Sequence, residues 1–195
     1  MRKKVALFFG SFNPIHYCHI EIGRVLLKKN LADEVWFAVS QKNPFKDAKT
    51  LMDKEIRIQC LNEMLKNENK DMISANNKFE GFNSIYTCDA IEWLKNKYPD
   101  YDFSLIIGED QLEKFDGWKN YKYILDNSTI ICVYRKDGEN VELRKKYPNF
   151  VYLENVGDIS ATQIRKAIKN GEKPTHLTSE AVIELFGKHI NEIEI

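Results

Sequence analysis

Two histidines three residues apart, His16 and His19, follow a short turn, Gly10-Ser11-Phe12-Asn13-Pro14, which itself follows the apolar run Val5-Ala6-Leu7-Phe8-Phe9. Neutral imidazoles carry N–H donors that can meet phosphate oxygens without a metal. If a helix begins near Ile15, the pair shares a face of its first turn, where unpaired backbone N–H groups and the positive end of the dipole gather. An isolated pair at this spacing more often caps a helix and packs. The strand and glycine turn in front of it reverse that balance.

The elements that must hold the pair can be read from the same stretch. Val5–Phe9 is short and apolar throughout, as a strand buried on both faces is. Gly10 lets the backbone turn and lets a ligand approach closely. Asn13-Pro14 is a turn signal, and Ile20, Ile22, Val25, Leu26 and Leu27 recur at helical spacing, which predicts a helix from Ile15 to Asn30. Gly10 is the only glycine of the turn and no Gly-Lys-Ser/Thr follows, so neither a Walker loop nor a dinucleotide fingerprint is present.

Beyond this unit the pattern alternates. Strands are predicted at residues 34–39, 72–74, 103–107, 129–134 and 150–153, with helices at 53–66, 84–97, 120–126, 160–170 and 178–189. Polar loops are expected at 41–50 and 76–83. This order predicts a single α/β domain over residues 1–195 with a doubly wound parallel sheet, whose ligands sit beyond the strand C-termini. At 195 residues a sizeable core can form. Lysine plus arginine and aspartate plus glutamate both number 29, so no general footprint for nucleic acid is present. Four scattered cysteines, no C-x-x-C spacing, no signal peptide and no long apolar segment lead to the expectation of a cytoplasmic protein with free thiols, not attached to a membrane.

Near the other end, Ser160 and Gln163 have capping-box spacing. That leaves Arg165 unexplained, since a cation early in a helix opposes the dipole unless an anion offsets it. Lys42, Lys46 and Arg57 lie on and after the loop that follows the second strand, and Asp110 falls just past a buried strand and Gly108. Glu80 and Glu109 have no evident partner for acid–base work.

Together, Gly10–His19 and Ile159-Ser160-Ala161-Thr162-Gln163-Ile164-Arg165 resemble the two signatures of the nucleotidylyltransferase superfamily. Asn43-Pro44-Phe45-Lys46 with Arg57, Ile85-Tyr86-Thr87 with Asp89, Ile106–Leu112 with Trp118, and Arg135 are similar to segments of its nicotinate-mononucleotide adenylyltransferases. The family's usual glycine and histidine are Cys18 and Phe45 here. The resemblance implies a Rossmann-like nucleotidylyltransferase fold and transfer of AMP from ATP to nicotinate mononucleotide. It assigns His16, His19 and Arg165 to catalysis. It assigns Gly10, Ser11, Phe12, Gly108, Asp110, Ile159, Ser160 and Thr162 to ATP, and Lys46, Arg57, Tyr86, Thr87, Trp118 and Arg135 to the mononucleotide. Mg²⁺ would be held by substrate phosphates, with no protein ligands. Other phosphate acceptors, such as nicotinamide mononucleotide or phosphopantetheine, and a nucleotide-binding module without activity are the alternatives, and a homo-oligomer is left open.

Overall fold

The computed structural model describes residues 2–40, 48–134, 140–154 and 157–195. In chain order the elements are β1 (Lys3–Gly10), α1 (Tyr17–Lys28), β2 (Glu34–Val39), α2 (Lys54–Leu65), β3 (Met72–Ser74), α3 (Thr87–Lys97) and β4 (Tyr101–Gly108). They continue with α4 (Glu109–Leu112), α5 (Tyr121–Asn127), β5 (Thr129–Tyr134), α6 (Val141–Lys146), β6 (Val151–Glu154), α7 (Ala161–Lys169) and α8 (Glu180–Gly187). The six strands form one parallel sheet in the order β3-β2-β1-β4-β5-β6.

Alternation along the strands builds a core on each face of the sheet. Ala6, Phe37, Ile106 and Ile131 point to one side and pack with Leu26 of α1, Leu61 of α2, Ile164 of α7 and Phe186 of α8. Leu7, Trp36, Leu105 and Cys132 point to the other and meet Ile91 of α3, Ile124 of α5 and Phe115. Helices thus cover both faces, which is why the strands read as continuous apolar runs.

The chain order reverses between β1 and β4, the two central strands. At such a switch point the loops leave in opposite directions and open a crevice at the carboxyl ends. Leu7 pairs with Leu105, so Gly10 and Gly108, each three residues further on, stand level at that crevice.

The six expected strands all form. β1 and β4 extend past their apolar runs because Lys3 and Lys4 pair with Tyr101 and Asp102. Two short helices were not expected. α6, with sequence VELRKK, has no apolar stripe, and α4 is a single turn, so neither offers a periodicity to read. The helix expected from Ser84 begins at Thr87, since the Ser84 hydroxyl instead accepts the Tyr86 N–H and donates to Asp89.

Candidate active site

The loop after β1 is shaped by one aromatic ring. Phe12 has φ 42°, a region that side chains rarely occupy. Its ring folds back so closely that a Cβ on Gly10 would stand 2.7 Å from it, so any side chain at position 10 would have to displace the ring. The ring is buried and meets Phe37 and, edge-on at 5.0 Å, His19. Phe12, expected among the ATP-binding residues, thus places its side chain under His19 and away from solvent, so a ligand would meet its backbone.

His16 is the N-cap of α1, with φ −149° and ψ 170°, and not a member of its first turn as the spacing implied. His19 sits at the third helical position. The two rings stack at 3.7 Å, tilted by 30°. The His16 backbone N–H donates to Nδ1 of His19 at 3.3 Å, so the His19 proton resides on Nε2, which becomes a donor. His16 is buried, and burial lowers its pKa to about 4, so it is neutral at pH 7. Its Nδ1 has no partner among the described residues.

The loop is braced from several directions. Asn13 donates from Nδ2 to the Thr50 carbonyl at 2.8 Å and accepts the Met52 N–H at 3.0 Å. The fully buried hydroxyl of Thr178 donates to the Ile15 carbonyl at 2.9 Å, and the Tyr17 N–H donates to the Leu177 carbonyl. Arg165 reaches back from α7 to donate to the Asn13 carbonyl at 2.9 Å and to the Thr162 hydroxyl at 3.1 Å. Its Nε is buried without a partner, and no carboxylate pairs with it among the described residues. Desolvation accordingly lowers its pKa.

Arg57 departs from expectation. Expected on the mononucleotide, it is 1% exposed, and its guanidinium donates to three carbonyls: Met52 at 2.7 Å, Ser11 at 2.8 Å and Ser40 at 3.0 Å. In this structure the guanidinium is therefore spent on backbone carbonyls.

At the start of α7, Ser160 is the N-cap and accepts the Gln163 N–H at 3.2 Å, which is one half of the expected capping box; the return bond from the Gln163 side chain is not made among the described residues. Thr162 is exposed on the first turn and Ile159 is half-buried. Asp110, exposed in α4, folds back over Gly108 so closely that a Cβ there would meet its Oδ1 at 2.5 Å. That carboxylate therefore lies at the crevice between β1 and β4.

A further group gathers around the N-terminus of α3. Tyr86 is its N-cap, with no side chain capping the first turn, and Thr87 is the first helical residue. Lys119 donates to both oxygens of Asp89, at 2.9 and 3.1 Å, and stands 4.4 Å from the centre of the Tyr86 ring. Those bonds tie the segment that carries the half-buried Trp118 to the start of α3. Ser84 and Lys119 hold Asp89 down to a pKa of about 2. Lys46 and Arg135 lie outside the described residues. No group of three or more His, Cys, Asp or Glu able to hold a metal occurs among the described residues, and no helix among them is long and apolar enough to cross a membrane.

The chain was compared with known proteins. A family model described as Cytidylyltransferase-like matches residues 7–167. A curated relative from Cytophaga hutchinsonii, named "Probable nicotinate-nucleotide adenylyltransferase", is 36% identical over 94% of this chain and 95% of its own. One of the same name from Flavobacterium johnsoniae is 37% identical over 87% and 88%. The chain belongs to the nicotinate-nucleotide adenylyltransferase family. The fold agrees with that of a Plasmodium falciparum nicotinic acid mononucleotide adenylyltransferase complexed with NaAD, at a TM-score of 0.80 and 18% identity, each chain 97% covered.

Against the family's usual pattern, Cys18 replaces a glycine. It is buried, and its Sγ would stand 2.9 Å from a Cβ on Gly157, so the extra atoms are absorbed beneath the segment leading to α7. Two residues of this family member, Asn13 as a brace and Thr178, were not anticipated in those roles. Asn13 was visible as half of a turn signal, whereas Thr178 gave no signal, because a threonine beside a helix start is ordinarily a cap or a surface residue.

Proposed function

We propose that the protein transfers the AMP moiety of ATP to nicotinate mononucleotide, forming deamido-NAD and releasing pyrophosphate. The observation that carries this reading is the stacked His16–His19 pair at the start of α1, where the loop after β1 enters the crevice and His19 keeps Nε2–H as a donor. The curated names of the relatives support the choice of acceptor.

In this reaction a phosphate oxygen of the mononucleotide attacks the α-phosphorus of ATP, and the bond to pyrophosphate breaks. No nucleophile from the protein is required, so catalysis consists of positioning and of donors aimed at developing charge. His19 donates to the α-phosphoryl oxygens. His16, neutral, stacks on it and fixes its angle. Arg165, a cation with no carboxylate partner among the described residues, faces the outer phosphates together with Ser160 and Thr162. Asp110 accepts from ribose hydroxyls.

The backbone donors at the start of α3 take the nicotinate carboxylate, with Trp118 against the ring. Mg²⁺ would be brought by the triphosphate, held through substrate phosphates and water. Such an ion would neutralise phosphate charge.

The test is pyrophosphate release with ATP and three acceptors. Nicotinate mononucleotide should exceed nicotinamide mononucleotide by at least about tenfold in kcat/KM, since one charge-assisted hydrogen bond is worth on the order of 1.5 kcal/mol. Equal or reversed values would overturn the acceptor. Activity with phosphopantetheine alone would move the protein to another branch, and no release with any acceptor would leave a binding module.

A further inference from the structure

Two arginines from different helices hold carbonyls of one loop. Arg165 of α7 takes the Asn13 carbonyl and Arg57 of α2 takes that of Ser11, while Phe12 lies between them with positive φ. Arg57 also holds Ser40, whose N–H donates to the Gly10 carbonyl at 2.9 Å, and Met52, whose N–H is held by Asn13. One guanidinium thus joins the loop after β1, the end of β2 and the segment before α2. No carboxylate pairs with Arg57 among the described residues.

A buried cation that no carboxylate bonds is costly, the charge of Asp53 offsetting only part of the desolvation of Arg57, and replacing it by an apolar residue would ordinarily be the more stable arrangement. What it does here follows from what it binds. A carbonyl oxygen is a partial negative charge, and several of them beside a triphosphate would repel it. A guanidinium on those oxygens engages their lone pairs and fixes the peptide planes. Only arginine presents donors in a fork wide enough for three segments.

We propose that Arg57 is a positioning residue for the ATP phosphates, acting through the carbonyls of Ser11, Ser40 and Met52, and is not a ligand of the mononucleotide. This rests on the reading of the loop after β1 as the ATP site. It separates two effects that a ligand residue would combine: ATP affinity depends on Arg57, and acceptor affinity does not.

The test uses Arg57→Lys, which keeps the charge and loses the fork, and Arg57→Met, which loses both. Binding of a non-hydrolysable ATP analogue is measured by calorimetry, and the KM for nicotinate mononucleotide by steady-state kinetics. Arg57→Lys should weaken the analogue by about tenfold and Arg57→Met by more, with the KM for the mononucleotide within about twofold of wild type. A rise in that KM with unchanged analogue binding would restore the ligand role, and unchanged values for both would remove the residue from the site. Equal weakening of both would make its role generally structural.

Should the variants fail to fold, the Arg57 Nε–H resonance of the wild type serves instead. It should shift with the ATP analogue and stay in place with nicotinate mononucleotide alone, and the reverse would overturn the proposal. If the wild type does not use nicotinate mononucleotide at all, the activity falls, while analogue binding still judges Arg57.

Discussion

In the proposed reaction His19 is a donor whose value rises as charge builds on the α-phosphoryl group, so its loss should slow turnover more than it loosens binding. His19→Ala is expected to lower kcat by about two to three orders of magnitude with a smaller change in the KM for ATP, read from initial rates. Near-normal turnover would remove the histidine from the mechanism. His16 makes a different kind of prediction. Its pKa falls from 6.5 to about 4 on folding, so the unfolded chain takes up the proton first. Its contribution to stability is therefore complete above pH 6.5 and is lost as the pH falls toward 4, by up to roughly 3 kcal/mol. Urea unfolding of wild type and His16→Gln at pH 7 and pH 4.5 checks this. The loss between the two pH values should be smaller in the variant, and an equal loss would contradict it. Both histidines and Arg165 stood out in the sequence by type and spacing, and the structure brings all three to the loop after β1. Arg57 was seen but misplaced, since an arginine one helix away from a loop looks the same whether it faces a ligand or a backbone.

At the scale of elements, α8 does more than complete the core. Thr178, just before it, carries the hydroxyl that holds the Ile15 carbonyl next to the histidines. Thr178→Val keeps the shape and leaves a buried carbonyl without its donor, which should cost about 1–3 kcal/mol in chemical denaturation. Thr178→Ser should recover most of it; if it does not, the methyl group and not the hydroxyl is what matters. The strands and long helices were legible because burial on two faces leaves continuous apolar runs and amphipathic helices leave stripes. α4 and α6 left neither, being too short or too charged. The start of α3 was misread by three residues because Ser84, an apparent helix start, is spent on Tyr86 and Asp89.

For the molecule as a whole, Cys18, Cys60, Cys88 and Cys132 are all buried, and burial pushes every one of their thiols up, Cys60 and Cys132 to about 12. The native protein at pH 8 should react negligibly with a thiol reagent over the time in which a free thiol reacts fully, and all four groups should react in denaturant. Prompt labelling of any one would show that its region opens below the global transition. The alternation of strands and helices made the parallel sheet legible, though not its strand order, and long-range clasps such as Arg165 on Asn13 have no local signature. Those clasps also order events in time. A ribosome makes the loop of Gly10–His19 early, and Arg165 and Thr178 follow 152 and 163 residues after the carbonyls they hold. At about 5–20 residues per second the loop waits on the order of ten to thirty seconds for its supports. The geometry of the loop is therefore completed only after the segment that carries Arg165 and Thr178 has been made.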